Sequence, residues 1–149
     1  MRPLPQRQTG FTLIEVMIVV AIAAILASIA WPAYQNQVFR GRRSDAMSAL
    51  ATISQAQERW RSDNISYQAT LADLPGGMTV SRGGHYDLSV VSGTTGFATY
   101  TIRATVKSSS PQASDLACQT MTMTLADGRI TYSSASSGGA NDPDTCWVR

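Results

Sequence analysis

Glu15 is the residue that most needs a chemical partner, because it is the only charged side chain between Phe11 and Trp31. A carboxylate in the middle of a membrane helix costs on the order of 3 kcal/mol on insertion scales, so such a residue is kept for a purpose and beside a partner. Cleavage between Gly10 and Phe11 would create a new α-amino group one helical turn before Glu15. The positive end of the helix dipole also favours an acid in the first turn. The competing reading is an interfacial Glu, paired with its own chain's amine or with nothing. The other reactive side chains are sparse. His85, the single histidine, follows Gly83-Gly84 at the start of an expected strand, with no nucleophile motif beside it, so no catalytic constellation is expected. Asn141-Asp142-Pro143-Asp144 offers oxygen ligands but lacks the twelve-residue calcium-loop pattern. No metal and no cofactor are expected.

These residues need elements to hold them, and the N-terminus supplies the first. Residues 1–10 are short, basic through Arg2 and Arg7, and free of acid, and the apolar stretch opens at once at Phe11. That is the layout of an export signal. An ordinary signal peptide would be cut after its apolar part, and the Ala-rich stretch from Ala21 to Ala30 offers such a place. Phe11 to Trp31 is long for a signal core, however. As a helix it rises about 31 Å, near the ~30 Å hydrocarbon thickness of a bilayer.

The run Gly10-Phe11-Thr12-Leu13-Ile14-Glu15-Val16-Met17-Ile18-Val19-Val20-Ala21-Ile22 closely resembles the leader junction and first helix of type IV pilins and pseudopilins. The resemblance implies cutting after Gly10 by a prepilin peptidase, which is also the methyltransferase acting on Phe11, and pairing of Glu15 with the Phe11 amine of a neighbouring subunit. Physics adds a reason: two opposite charges entering an apolar filament core are tolerable only when paired.

Pro32 follows the span, and a proline inside a helix removes a donor and kinks it. A kink rather than an end is expected, because Ala46, Ala49, Leu50, Ile53, Gln57 and Trp60 resume one helical face. A proline here also resembles type IV pilins, in which the adjoining segment can unwind, although Ala24 stands where many major pilins have glycine. Arg40, Arg42 and Arg43 form a basic cluster just beyond, open to headgroups, to a neighbouring subunit's acids or to solvent. The cluster competes with Arg2 and Arg7 under the positive-inside rule.

After residue 62 the pattern changes. Asn64 to Gly77 reads as a loop with one helical turn. Tyr86-Leu88-Val90, Ile102-Ala104-Val106 and Met121-Met123-Leu125 alternate with polar residues, as half-buried strands do. Asp127-Gly128 is a hairpin signal before Ile130-Thr131-Tyr132. The expected fold is α+β: a long N-terminal helix over 11–62, its first half spanning a membrane (11–31), laid on an antiparallel sheet of about four strands in a domain over 63–149. Outside the cytoplasm the even pair Cys118 and Cys146 suggests a disulfide, two free thiols being the alternative. Its place near the end of the chain resembles the disulfide-bounded region of type IV pilins. That likeness makes Ser133 to Thr145 an expected exposed contact loop.

Charge narrows the function. Without Arg2 and Arg7, basic and acidic residues balance at ten each. From Asn64 onward five basic residues face six aspartates, which gives no footprint for nucleic acid. DNA is therefore an unfavoured partner. The resemblance implies a structural, non-enzymatic subunit of a type IV pilus, most like minor pilins of the PilE type. Its expected partners are other pilins, the peptidase, an inner-membrane assembly platform, and lipid before assembly, with the domain periplasmic until it reaches the cell-surface pilus. A type II secretion pseudopilin and a DNA-uptake pilin are the alternatives.

Overall fold

The computed structural model describes residues 10–147. The basic leader residues Arg2 and Arg7 lie outside the described residues. Two compact units divide near residue 37, the first within the apolar segment and the second from Val38 onward.

Helix α1 runs from Leu13 to Asp63 and carries Pro32 inside it, so the proline does not end the helix. In the second unit one stripe of α1 is buried: Ala46, Ala49, Leu50, Ile53, Ala56 and Gln57. The 3.6-residue period puts these positions on one face, and the alanines leave room for the large rings opposite. Gln57 is the polar member of the stripe. It behaves as a rung of backbone: its Nε2 donates to the Gln68 carbonyl at 2.7 Å, and its Oε1 accepts from the Gln68 N–H at 2.9 Å. Asn64 ends the helix by donating from Nδ2 to the Trp60 carbonyl.

Five antiparallel strands follow in the order β1-β2-β3-β4-β5: β1 (Tyr86–Val90), β2 (Thr99–Val106), β3 (Thr120–Ala126), β4 (Arg129–Ser136) and β5 (Gly139–Ala140). The expected alternation holds, and Tyr86, Leu88, Tyr100, Ile102, Ala104, Met121, Met123 and Leu125 close the core over α1 with Leu71 and Leu74 from the connecting segment. The expected helical turn is a 3₁₀ turn at Leu71–Asp73. Asp127 and Gly128 both have positive φ, the backbone that a two-residue hairpin with the right twist requires. The sheet is wider than the helix. Ile130 and Tyr132, in register with Leu125 and Met123, remain 43% and 48% exposed.

The expected sheet of about four strands carries a short fifth, because β4 continues through Ser136 and the chain returns in β5. Ser and Thr carry no apolar alternation here, so periodicity could not mark this pairing. One expectation needs correction: Arg43 is not part of an outward cluster. Its Nε and Nη2 donate to the two carboxylate oxygens of Asp115, each at 2.7 Å, and Gln112 Nε2 donates to the same carboxylate at 2.8 Å. Asp115 is 4% exposed, so this fork is an internal tie between α1 and the segment before β3.

Breaking a buried pair strands the remaining charge, so Asp115→Ala should destabilise the domain by about 3 kcal/mol, read as a lower urea midpoint; an unchanged midpoint would dismiss the tie. Tyr86 makes a second test. Its buried hydroxyl has no hydrogen-bond partner among the described residues. Burial, helped by the nearby Asp115 charge, pushes its pKa up to about 12. The unfolded phenol ionises near pH 10, so native stability falls as pH rises from about 10 towards 12. Tyr86→Phe should be neutral or stabilising at pH 7 and should flatten that alkaline fall, checked by urea denaturation across the window.

Candidate functional site

At the start of α1, Thr12 Oγ1 accepts the Glu15 N–H at 3.3 Å. This is the first half of a capping box, in which a Thr caps the helix and an acid stands three residues on. Thr12 was missed as a functional residue in the sequence reading, although Thr-x-x-Glu before an apolar run signals it. The cap fixes where the helix begins and so places Glu15 in its first turn. Phe11, just outside, is 82% exposed. Gly10 has open space around the position a Cβ would take and no positive φ. Among the described residues, nothing demands glycine there.

From Leu13 to Trp31 no side chain is buried. Helix α1 contains a window long and apolar enough to cross a membrane, none of it covered by the protein. Glu15 is exposed within it and has no ion-pair partner among the described residues.

At the other end of the chain, Cys118 and Cys146 form a disulfide with Cα atoms 5.8 Å apart. The segment they bound is better tied than an open contact loop. Asn141 Nδ2 donates to the Ala117 carbonyl and to Ser134 Oγ, both at 2.8 Å. Asp144 Oδ1 accepts from Ser134 Oγ at 2.7 Å and from the Cys146 N–H at 3.0 Å. Trp147 Nε1 donates to the Ser133 carbonyl, and its ring meets Tyr132 with centroids 4.7 Å apart. Of the residues expected to be exposed, Ser134 is buried, whereas Ser137 to Ala140 are exposed. The Asp144 carboxylate already holds its own loop, and no cluster of three metal-binding side chains occurs among the described residues. His85 Nδ1 lies 2.8 Å from Ser110 Oγ, an ordinary structural contact.

The outer face of the sheet carries hydroxyls in rows. Thr101, Thr124 and Thr131 are in register across β2, β3 and β4; Ser89, Arg103, Thr122 and Ser133 form the next row from β1 to β4. Arg103 is exposed in the middle of this face. Lys107 follows directly after β2, its Nζ 3.8 Å from Asp87 Oδ1. Arg82 belongs to the loop before β1.

Comparison with known proteins draws these features together. Residues 32–122 match the family described as type IV minor pilin ComP, DNA uptake sequence receptor. Residues 5–31 match the prokaryotic N-terminal methylation motif. Over 147 residues the chain is 37% identical to the fimbrial protein EcpC of Eikenella corrodens, covering 96% of this chain and 93% of that protein. It is 55% identical over 51 residues to the type IV major fimbrial protein FimA of Dichelobacter nodosus, covering 34% of this chain and 33% of that one. With a fimbrial protein of Neisseria meningitidis it shares 44% identity over 66 residues, 40% of this chain and 39% of that one.

Proposed function

This chain belongs to the type IV pilins, in the ComP minor-pilin family, and we propose that it is a minor pilus subunit that waits in the inner membrane and enters the filament through its first helix. One observation carries this reading: a capped helix start sets Glu15 one turn inside an uncovered apolar span, directly after Gly10 and Phe11. A peptidase cuts after Gly10 and methylates Phe11. The new amine of one subunit then meets Glu15 of its neighbour as both leave lipid, with the assembly platform driving the exchange. Pro32 lets the helix bend as it packs. Before assembly the domain from Val38 onward stands in the periplasm. A secretion pseudopilin is disfavoured by the likeness to fimbrial proteins, which reaches nearly the whole chain length in EcpC.

The test is direct. Glu15→Val should insert in the membrane as well as the parent chain yet disappear from sheared pili, while mass spectrometry of the parent subunit reads methylated Phe11 at its N-terminus. Normal incorporation of the variant would remove the pairing role.

A second reading, reception of DNA, is favoured by the description of the matched family and by Arg103 standing among hydroxyls on an open sheet face. The balanced total charge weighs against strong non-specific affinity, but specificity is read locally. Duplex DNA should then bind with an affinity that falls steeply with salt, and Arg103→Gln should reduce the slope of log K against log salt by about one. No binding even at low salt would eliminate this role.

A further inference from the structure

Three arginines lie at the end of the domain where α1 enters it. Arg40 and Arg42 lie on the helix, two positions apart and so on different sides of it, and Arg82 precedes Gly83, whose N–H donates to both carboxylate oxygens of Asp45 at 3.1 Å. A Cβ on Gly83 would fall 2.8 Å from Asp45 Oδ2, so the loop is pressed onto the helix. Positions 42 and 45 share a helix ridge. The carboxylates at this end are engaged elsewhere: Asp45 by Gly83, Asp115 by Arg43 and Gln112, and Asp87 by Lys107. His85 is bonded to Ser110. The exposed Asp142 follows β5, at the opposite edge of the sheet from β1. Arg40, Arg42 and Arg82 thus have no ion-pair partner among the described residues.

We infer that this basic end seats on the phosphates of anionic phospholipid headgroups at the outer surface of the membrane, holding the domain against the bilayer until the subunit is withdrawn into the filament. The inference rests on the reading that residues 11–31 span the membrane. Arg40 follows Trp31 by nine residues. As helix that segment rises about 13 Å, and the headgroup layer extends roughly 5–7 Å beyond the hydrocarbon, so Arg40 spans the remainder because helical side chains lean toward the N-terminus. The guanidinium fork matches phosphate oxygens in pairs. It also gives a use to Arg40 and Arg42, two cations that run against the positive-inside rule. Each arginine near an anionic surface should strengthen seating about fivefold, enough to bias the domain but weak enough to release.

The full chain, reconstituted in vesicles of phosphatidylethanolamine with phosphatidylglycerol or of phosphatidylcholine alone, supports the experiment. Resistance to alkaline extraction first reports whether the span is inserted. Hydrogen exchange is then followed in the peptide 79–86. Protection should appear in the anionic vesicles alone and vanish near 1 M salt, where the Debye length is about 3 Å. The triple variant Arg40→Gln, Arg42→Gln, Arg82→Gln should lose seating by on the order of a hundredfold, while the triple Lys variant retains most of it. The salt titration makes the same test without any substitution. Equal exchange in both vesicles with the span inserted would overturn the seating and leave the spanning reading intact. Protection by duplex DNA but not by anionic lipid would also overturn it, assigning this end to nucleic acid. A chain extracted by alkali would instead refute the spanning segment itself.

Discussion

A carboxylate carried in an apolar helix constrains every stage of this subunit's life. In the proposed membrane-held state it sits near the surface, eased by the helix start. In a filament the water is gone, and a lone charge there would cost several kcal/mol. The Thr12 cap therefore matters beyond local stability. By setting the first turn, it fixes how far Glu15 stands from Phe11, the residue whose amine the proposed cleavage would free. The apolar surface between them and Trp31 has no partner among the described residues, which suits the proposed exchange of lipid for another surface of the same kind.

The second half of the helix faces the opposite problem, since it must belong to one domain only. Apolar packing of Leu50, Ile53 and the alanines against Tyr86, Tyr100 and Met121 gives adhesion without much direction. Direction comes from polar ties at both ends of the stripe. Arg43 grips Asp115 near the entry, and Gln57 grips Gln68 near the exit. A slip of the helix by one turn would leave these buried groups unpaired, at a cost of several kcal/mol. Ser54, sharing a 2.8 Å hydrogen bond with the Tyr100 hydroxyl, adds a third fixed point between them.

Much of this fold was legible in the sequence because apolar residues repeat at the period of their element. Ala46 to Trp60 announced a helix face, and Tyr86, Ile102 and Met121 announced strands. Gly10, Phe11 and Glu15 were legible as a candidate site because an isolated charge in an apolar run is rare and conspicuous. What stayed hidden had no periodic signature. Arg43 looks like its neighbours Arg40 and Arg42, and only the fold brings Asp115 to it across 72 positions of chain. The last strand pair is built of Ser, Gly and Ala, held by backbone pairing and by Asn141 and Asp144 rather than by burial of side chains. Electrical balance summed over the chain likewise hid an uneven placement, because several acids are engaged inside the molecule while arginines remain outside it.

The Gln57 bridge has one more implication. Because a side chain supplies the bonds that a neighbouring strand would otherwise make, the connection after the helix is clamped at its base, by Gln68 on one side and by Arg61 on the Asn64 carbonyl on the other. Of the three residues between, Ile65 and Ser66 are turned to solvent, whereas Tyr67 donates its N–H to the Gly96 carbonyl and sets its ring against Tyr100, so change at the tip is open to the first two while the third keeps the connection in register.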